Sequence, residues 1–150
     1  MGSAGLLGLD WWEFSPPINP SDYTLYEKRE AEDVMAVYRV NVYSWGLGYF
    51  GRGDFVAYDN IWFGEVGDVS KMLVRYSKGN SGGRMEIRLN GRYGPVLGSF
   101  SPPTTGNWGT YVEATFDISV SKSGLHKLFI VGVDGPRNGV WNFDYFQLLA

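Results

Sequence analysis

From Tyr26 onward, the chain consists of short segments rich in β-branched and aromatic residues, separated by clusters of Gly, Asn, Pro or Ser. These clusters recur about every 8 to 12 residues, the spacing that turns have in an all-β sandwich. In residues 84–89, Met, Ile and Leu alternate with Arg and Glu, so one face is apolar and the other polar. The pattern predicts an all-β fold without helices: a β-sandwich, or jelly roll, of two antiparallel sheets.

The predicted strands share a β-prone composition bounded by turn residues. They cover residues 29–32, 37–43, 55–63, 69–76, 84–89, 96–100, 111–120, 125–133 and 141–149. Pro16-Pro17 and Asn19-Pro20 interrupt the N-terminal part, where no continuous element is expected. We therefore predict a linker or packed N-terminal tail over residues 1–25 and one domain over residues 26–150.

Composition narrows the chemistry that this chain can perform. The 150 residues contain no cysteine and one histidine, which excludes disulfides and thiolate zinc sites and leaves His126 as the sole imidazole. A structural role for His126 is the expected one. The 13 basic residues are scattered and the net charge is -3, which argues against a nucleic-acid partner. No apolar run approaches the ~20 residues of a membrane span.

The chain carries more aromatic rings than a core of this size needs: 6 Trp, 10 Tyr and 9 Phe. Tyr49 lies in a glycine-bounded segment and Trp108 in a polar segment, and both are predicted to lie on loops. Two such rings held face to face would form a slot for one pyranose ring, whose hydroxyls the amide of Asn142 could bind. Alternatively, both rings cover the ends of the sandwich and Asn142 satisfies a turn.

Three acidic residues form a second candidate site. Glu30 and Glu32 alternate along a predicted strand, so their carboxylates share one face, and Asp144 meets them if the first and last strands are neighbours. Calcium prefers six to eight oxygen ligands, which carboxylates and backbone carbonyls supply. The alternative is a solvated acidic edge without an ion, and the spacing alone favours that alternative.

The order of four motifs resembles family 6 of the carbohydrate-binding modules across about residues 26–150. One resembles the family's Gly-Asp-Trp-Val-x-Tyr strand, with Phe55 in place of Trp, and another resembles its Thr-Gly-Gly-Trp turn, with Asn107 in place of the second glycine. The motifs are Glu30-Ala31-Glu32, Gly53-Asp54-Phe55-Val56-Ala57-Tyr58, Thr105-Gly106-Asn107-Trp108 and Asn142-Phe143-Asp144-Tyr145-Phe146.

The resemblance implies a jelly roll in which a Tyr and a Trp sandwich a sugar and an Asn hydrogen-bonds it. These roles fall on Tyr49, Trp108 and Asn142. It also implies a structural calcium ion held away from the sugar by Glu30, Glu32 and Asp144. Some family members have a second cleft on a concave sheet face, for which the residue types suggest Tyr58, Trp62 and Tyr76.

The resemblance further implies a non-catalytic module that binds a β-linked polysaccharide, xylan or a β-glucan such as laminarin. Its partner would be a tethered glycoside hydrolase in a secreted, extracellular enzyme, and the module itself would be a monomer. No nucleic acid or membrane partner is expected.

Two enzymatic alternatives are weighed against this interpretation. The first is a small glycan-active hydrolase or lyase with paired carboxylates, either Glu86 with Glu113 or Asp54 with Asp59. Nothing in their spacing distinguishes them from solvated strand charges. The second is a cupin-like metal enzyme on the same architecture, for which one histidine supplies too few imidazole ligands. The binding module is therefore the preferred hypothesis.

Overall fold

The computed structural model of the protein describes residues 18–150. A short 3-10 helix, Pro20–Asp22, precedes a series of β-strands. In chain order the strands are β1 (Lys28–Glu30), β2 (Ala36–Tyr38), β3 (Asn41–Tyr43), β4 (Gly46–Phe50), β5 (Phe55–Trp62), β6 (Lys71–Ser77), β7 (Arg84–Leu89), β8 (Val96–Phe100), β9 (Tyr111–Asp117), β10 (Leu125–Asp134) and β11 (Trp141–Leu149). Within this part of the chain, no helix is long and apolar enough to cross a membrane.

The strands form two antiparallel sheets. One has the order β3-β4-β11-β6-β9, with β1 also paired to β11, and the other has the order β2-β5-β10-β7-β8. Strands β4 and β1 pair with successive parts of β11: β4 with its beginning and β1 with the stretch around Tyr145. The predicted all-β sandwich is confirmed, and the first and last strands are neighbours, which was the condition for Asp144 to lie near Glu30.

The core lies between the sheets and is built from alternate residues of each strand. In β7, for example, Met85, Ile87 and Leu89 are buried while the intervening Arg and Glu residues are partly exposed. Rings dominate the neighbouring part of the core, where Trp141 and Phe143 stack with centroids 4.6 Å apart. Each large apolar side chain buried in this way stabilises the fold by about 1.5–3 kcal/mol.

Most predicted strands are present with ends that differ by at most three residues, but the predicted strand 37–43 is wrong. The chain leaves β2 at Arg39, whose φ is +60°, and enters the other sheet as β3. The prediction that Glu30 and Glu32 share one strand is also wrong, because β1 ends at Glu30 and Glu32 follows in a turn.

Strand β4 was not predicted, because its sequence, Gly-Leu-Gly-Tyr-Phe, resembles a turn. The glycine content has a packing reason: a methyl group added to Gly46 would lie 2.4 Å from the carbonyl oxygen of Phe143. Gly46 also has a φ of +146°, which only glycine adopts readily. The close approach of β4 to β11 therefore requires a residue that local sequence rules assign to loops.

The described end of the N-terminal segment packs on the sandwich. Tyr23 stacks on Trp62 with centroids 5.4 Å apart, and the hydroxyl of Tyr26 donates to the carbonyl of Asp68 at 2.5 Å. The side chain of Gln147 in β11 donates to the carbonyl of Tyr26 at 2.8 Å. Tyr23 and Tyr26 thus contact the sandwich, whereas residues 18–22 are exposed and residues 1–17 of the predicted linker or tail lie outside the described residues.

We expect Gly132→Ala to destabilise the domain by about 1–3 kcal/mol, the usual cost of overpacking. A methyl group on Gly132 in β10 would lie 2.1 Å from the carbonyl oxygen of Gly51, which follows β4. Urea denaturation monitored by tryptophan fluorescence measures the change. Gly91→Ala is the control, because its methyl group would lie 3.8 Å from the nearest atom outside its chain neighbours, Gly94 N. Equal stability of the two variants would contradict the proposed clash.

Candidate functional site

A cleft of about 510 Å³ opens beside β4 and the first residues of β11. Its volume is within the range of pockets that hold small ligands. Its walls come from the β3–β4 turn, β4, the loops before β7, β9 and β11, and β11 itself, and none of its side chains is charged. They are Tyr43, Trp45, Gly48, Tyr49, Asn80, Trp108, Pro136, Asn138, Gly139 and Asn142. The structure therefore brings Tyr49, Trp108 and Asn142 together.

Tyr49 lies in strand β4 and not in the predicted loop. Its neighbours Gly48 and Phe50 are buried, whereas 60% of its own surface is exposed. Its φ of +55° is rare for a bulky residue, and such conformations cluster at functional sites. The ring is held at the cleft wall by a strand, which positions it more firmly than a loop would.

Trp108 also lines the cleft and lies in a loop, as predicted. Its carbonyl accepts a hydrogen bond of 2.8 Å from the hydroxyl of Ser77 at the end of β6. Its indole lies against Gly79, where an added methyl group would come within 2.5 Å of Trp108 Nε1. With 42% of its surface exposed, the ring is anchored at its base and free on its outer side.

Asn107 secures the loop that presents Trp108. Its side-chain oxygen accepts hydrogen bonds from Gly109 N at 2.8 Å and from Thr110 Oγ1 at 3.0 Å. Its carbonyl accepts another from Thr105 Oγ1 at 2.9 Å. The positive φ of this turn, +93°, is taken by Gly106. Asparagine therefore replaces the family's second glycine without strain and adds two hydrogen bonds of its own.

Gly139 lies beside the ring of Trp108 and the backbone of Tyr49. A methyl group on it would be 4.0 Å from both Trp108 Cη2 and the Cα of Tyr49. Asn142 in β11 lies beside Gly48 and is partly exposed. No described residue makes a hydrogen bond to its side-chain amide, so both the donor and the acceptor of that amide face the cleft unused.

Two further rings in the cleft, Tyr43 and Trp45, were missed by the sequence analysis. They stack at 4.9 Å with an interplanar angle of 7°, and Asn41 Nδ2 donates to the hydroxyl of Tyr43 at 3.0 Å. The pair fits beside β4 because Gly48 has no side chain: an added methyl group would lie 3.0 Å from Tyr43 Cε2. Two rings spaced two residues apart before a glycine-rich strand were the available signal.

A buried lysine supports one wall of the cleft. Lys78 is completely buried, and its Nζ donates to Asn80 Oδ1 at 3.0 Å and to the carbonyls of Gly82 and Val140 at 2.5 and 2.6 Å. Asn80 in turn donates to the carbonyl of Gly139 at 3.0 Å. Burial lowers the pKa of the Lys78 amine. The three acceptors use the three donors of the ammonium group and join two loops of the cleft.

The predicted calcium ligands Glu30, Glu32 and Asp144 line one small cleft next to the ring-lined one. One oxygen of Glu32, Oε1, is buried without a hydrogen-bond partner. Asp144 instead accepts a hydrogen bond of 2.5 Å from Arg75. Across residues 18–150, no three His, Asp or Glu side chains form a group that could hold a metal ion by themselves.

The carboxylate pairs considered for catalysis are not assembled. Glu86 lies in β7 of one sheet and Glu113 in β9 of the other. Burial raises the pKa of Glu86, but hydrogen bonds from Arg88 and Arg84 outweigh it, so the net pKa is below the ordinary value, opposite to that of a general acid.

The second carboxylate pair is also occupied by structural contacts. Asp54 is buried and pairs with Arg39, whereas Asp59 pairs with Arg29. His126 contacts the side chain of Asn90 and the carbonyl of Ser123, as expected for a structural residue.

Two of the three residues suggested for a second cleft, Tyr58 and Tyr76, are misassigned. Tyr58 and Tyr76 are buried in the core, where their hydroxyls donate to the carbonyls of Ala31 and Pro103. Trp62 stacks on Tyr23 of the N-terminal tail. Strand alternation explains why Tyr58 was misassigned: side chains of β5 point alternately to the two faces of the sheet, and that of Tyr58 points into the core. Tyr38 and Phe55, stacked at 5.7 Å, lie on the outer face, with the guanidinium of Arg92 over both rings.

A β-sandwich with an uncharged cleft lined by exposed rings has the form of a protein that binds carbohydrate. The family model for carbohydrate binding module (family 6) matches residues 29–150. The chain belongs to this family, whose members are non-catalytic binding modules.

Solved structures agree with the assignment. The family 6 module from Clostridium cellulolyticum, solved with xylose, is 29% identical with a TM-score of 0.75, over 83% of this chain and 98% of that one. A β-1,3-glucan-binding module from Bacillus halodurans is 27% identical with a TM-score of 0.74. The alignment covers 83% of this chain and 96% of that module.

Among curated proteins, an arabinoxylan arabinofuranohydrolase from Bacillus subtilis (strain 168) is 32% identical over 96 residues. The match covers 64% of this chain and 18% of the relative. The chain therefore spans less than a fifth of this relative's length.

We expect Lys78→Met to destabilise the domain by about 1–3 kcal/mol, because three acceptors lose their donor and one of them, the carbonyl of Val140, is buried. Lys122→Met is the control: Lys122 is exposed, and no described residue forms a salt bridge with it. Urea denaturation at pH 7 compares the two variants. Unchanged stability of Lys78→Met would show that the ammonium group is not what joins the two loops.

Proposed function

We propose that the ring-lined cleft binds a β-linked polysaccharide, xylan or a β-glucan such as laminarin. The observation that carries the proposal is the pair of exposed rings, Tyr49 and Trp108, on one uncharged cleft with the free amide of Asn142. Similarity to a module solved with xylose and to one that binds β-1,3-glucan supports this ligand class. The arabinoxylan-degrading relative supports xylan in particular.

The binding mechanism follows from the two faces of a pyranose ring. Its C–H groups form an apolar surface that packs on Tyr49 and Trp108. Binding stabilises the complex because this surface is removed from water. Its hydroxyls lose hydrogen bonds to water, and the amide of Asn142 replaces some of them as both donor and acceptor. The walls are held by a strand, a hydrogen-bonded loop and Lys78, so little ordering is required on binding.

The biological role that we propose is to hold a tethered glycoside hydrolase on its polysaccharide. Linkage converts substrate capture into an intramolecular event and raises the local substrate concentration without lowering any chemical barrier. Relatives that are glycoside hydrolases far longer than this chain support the tether. Polysaccharide substrates of this kind imply action outside the cell, and we propose that the module acts there as a monomer.

We expect Trp108→Ala and Tyr49→Ala to weaken binding to xylan or laminarin by about 30-fold or more each, because each removes one face of the sugar contact. Affinity gel electrophoresis and isothermal titration calorimetry measure the loss. The unfolding curve of Tyr49→Ala should stay close to wild type, since Tyr49 is 60% exposed. Trp108 is 42% exposed, so the affinity of Trp108→Ala is compared at a temperature where its own unfolding curve shows it to be folded. Tyr93→Ala is the matched control, because Tyr93 is 83% exposed and outside the cleft. Retained affinity in both site variants would place the sugar elsewhere.

We also propose a structural calcium ion held by Glu30, Glu32 and Asp144. The three side chains share one cleft, and a bound cation would satisfy the buried oxygen of Glu32 that lacks a hydrogen-bond partner among the described residues. Calcium would supply positive charge and bind carboxylate and carbonyl oxygens there. Arg75, which pairs with Asp144, competes with the ion for that carboxylate.

Calcium at saturating concentration should raise the melting temperature by about 5 °C or more over the chelated protein, because it binds the folded state. Sugar affinity should change little, since calcium is proposed to bind in the acidic cleft and the sugar in the ring-lined cleft. Glu32→Gln should remove the calcium response, and Glu65→Gln, which alters an exposed carboxylate elsewhere, should keep it. Chelation that abolished sugar binding and left the melting temperature unchanged would contradict a structural ion.

A further inference from the structure

A second hollow, of about 260 Å³, adjoins the ring-lined cleft and differs from it in charge. Arg39, Tyr49, Asp54, Arg137 and Asn138 line it. Tyr49 and Asn138 also line the ring-lined cleft, so a ligand that occupies the cleft has this hollow directly beside it. The cleft itself has no charged side chain, whereas three of the five residues here are charged.

The one acidic side chain in the hollow is already neutralised. Asp54 is 2% exposed; its Oδ1 accepts a hydrogen bond of 3.1 Å from Arg39 Nε, and its Oδ2 accepts one of 2.9 Å from Gly51 N. Arg137 is exposed, and no described carboxylate forms a salt bridge with it. The lining therefore carries a net positive charge, contributed by Arg137.

Arg39 is held in place before any ligand arrives. Only its Nε is used by Asp54, and 42% of its side chain is exposed. Its guanidinium also lies 4.9 Å from the centroid of the Tyr38 ring. The guanidinium of Arg92 lies 5.4 Å from the same centroid and donates to the carbonyl of Gly53 at 3.4 Å. A fixed guanidinium fork with unused N–H groups is suited to a planar anion, because less entropy is lost for each hydrogen bond formed.

We propose that this hollow binds an anionic substituent of the glycan, a carboxylate or a sulfate ester, whose neutral sugar lies between Tyr49 and Trp108. The proposal rests on the proposed function and defines its ligand more narrowly. Arg137 and the free N–H groups of Arg39 donate hydrogen bonds to the anion, and the neutral cleft holds the backbone sugar. The ligand class is then an acidic polysaccharide, with uronic acid branches or sulfate groups along a β-linked chain.

The test compares oligosaccharides of one length by isothermal titration calorimetry. One is a neutral xylo-oligosaccharide, one carries a single glucuronic acid branch, and one carries a single sulfate ester. The wild-type domain should bind at least one acidic ligand about three- to tenfold more tightly than the neutral one, the advantage of a partly exposed charge pair. The two acidic ligands distinguish carboxylate from sulfate. The advantage should shrink when the salt concentration rises from 0.05 to 0.5 M.

Arg137→Gln should remove most of the acidic advantage and leave neutral affinity unchanged. Lys122→Gln removes an equal charge elsewhere and should retain the advantage. Arg39→Gln adds a second measurement, for which an unfolding curve is needed because Arg39 pairs with buried Asp54. Equal binding of all three ligands by the wild type would overturn the anion site and leave the proposed function intact. A domain that bound none of them, and neither xylan nor laminarin, would overturn both.

Discussion

Strand β11 is the element on which both the core and the surface of this domain depend. One side of it places Trp141, Phe143 and Phe146 in the core, and the other side presents Asn142 and Asp144 to two adjacent clefts. An irregularity in its pairing with β6, between Phe143 and Tyr145, shifts the alternation partway along the strand. The strand can therefore serve both clefts while each part of it still buries large rings.

Close packing and hydrogen bonds beneath the exposed rings hold the ring-lined cleft in place. Backbone approaches that only glycine permits bring β4 against β11 at Gly46 and bring the Trp108 loop against Gly79. A buried ammonium group, that of Lys78, joins two of the loops through hydrogen bonds to oxygen atoms alone. Tyr49 is presented in a backbone conformation that the surrounding strand pairing maintains. Stability and function share the same contacts here.

Sequence patterns predicted the sandwich and the strands with clear alternation, such as 84–89, because period and turn spacing are local properties. Resemblance to a family located Tyr49, Trp108 and Asn142, which no local rule connects. Strand β4 was missed because its glycines are required by β11, a strand about one hundred residues later in the chain. The burial of Tyr58 and Tyr76 depends on strand phase, and that of Lys78 on its own loop together with Val140, 62 residues away. Strand β4 and the burial of these side chains depend on contacts between distant parts of the chain, which local sequence patterns do not reveal.

Gly139 leaves space in the ring-lined cleft beside Trp108 and Tyr49. The residue has only a hydrogen atom where other residues carry a β-carbon, and such a carbon would touch both Trp108 and the backbone of Tyr49. At 4.0 Å that carbon would make ordinary van der Waals contact without a clash, so alanine fits at this position. A longer side chain would extend past the β-carbon and take up volume in the cleft. Substitution at this one loop position therefore offers a way to reduce the space for a sugar without altering either ring.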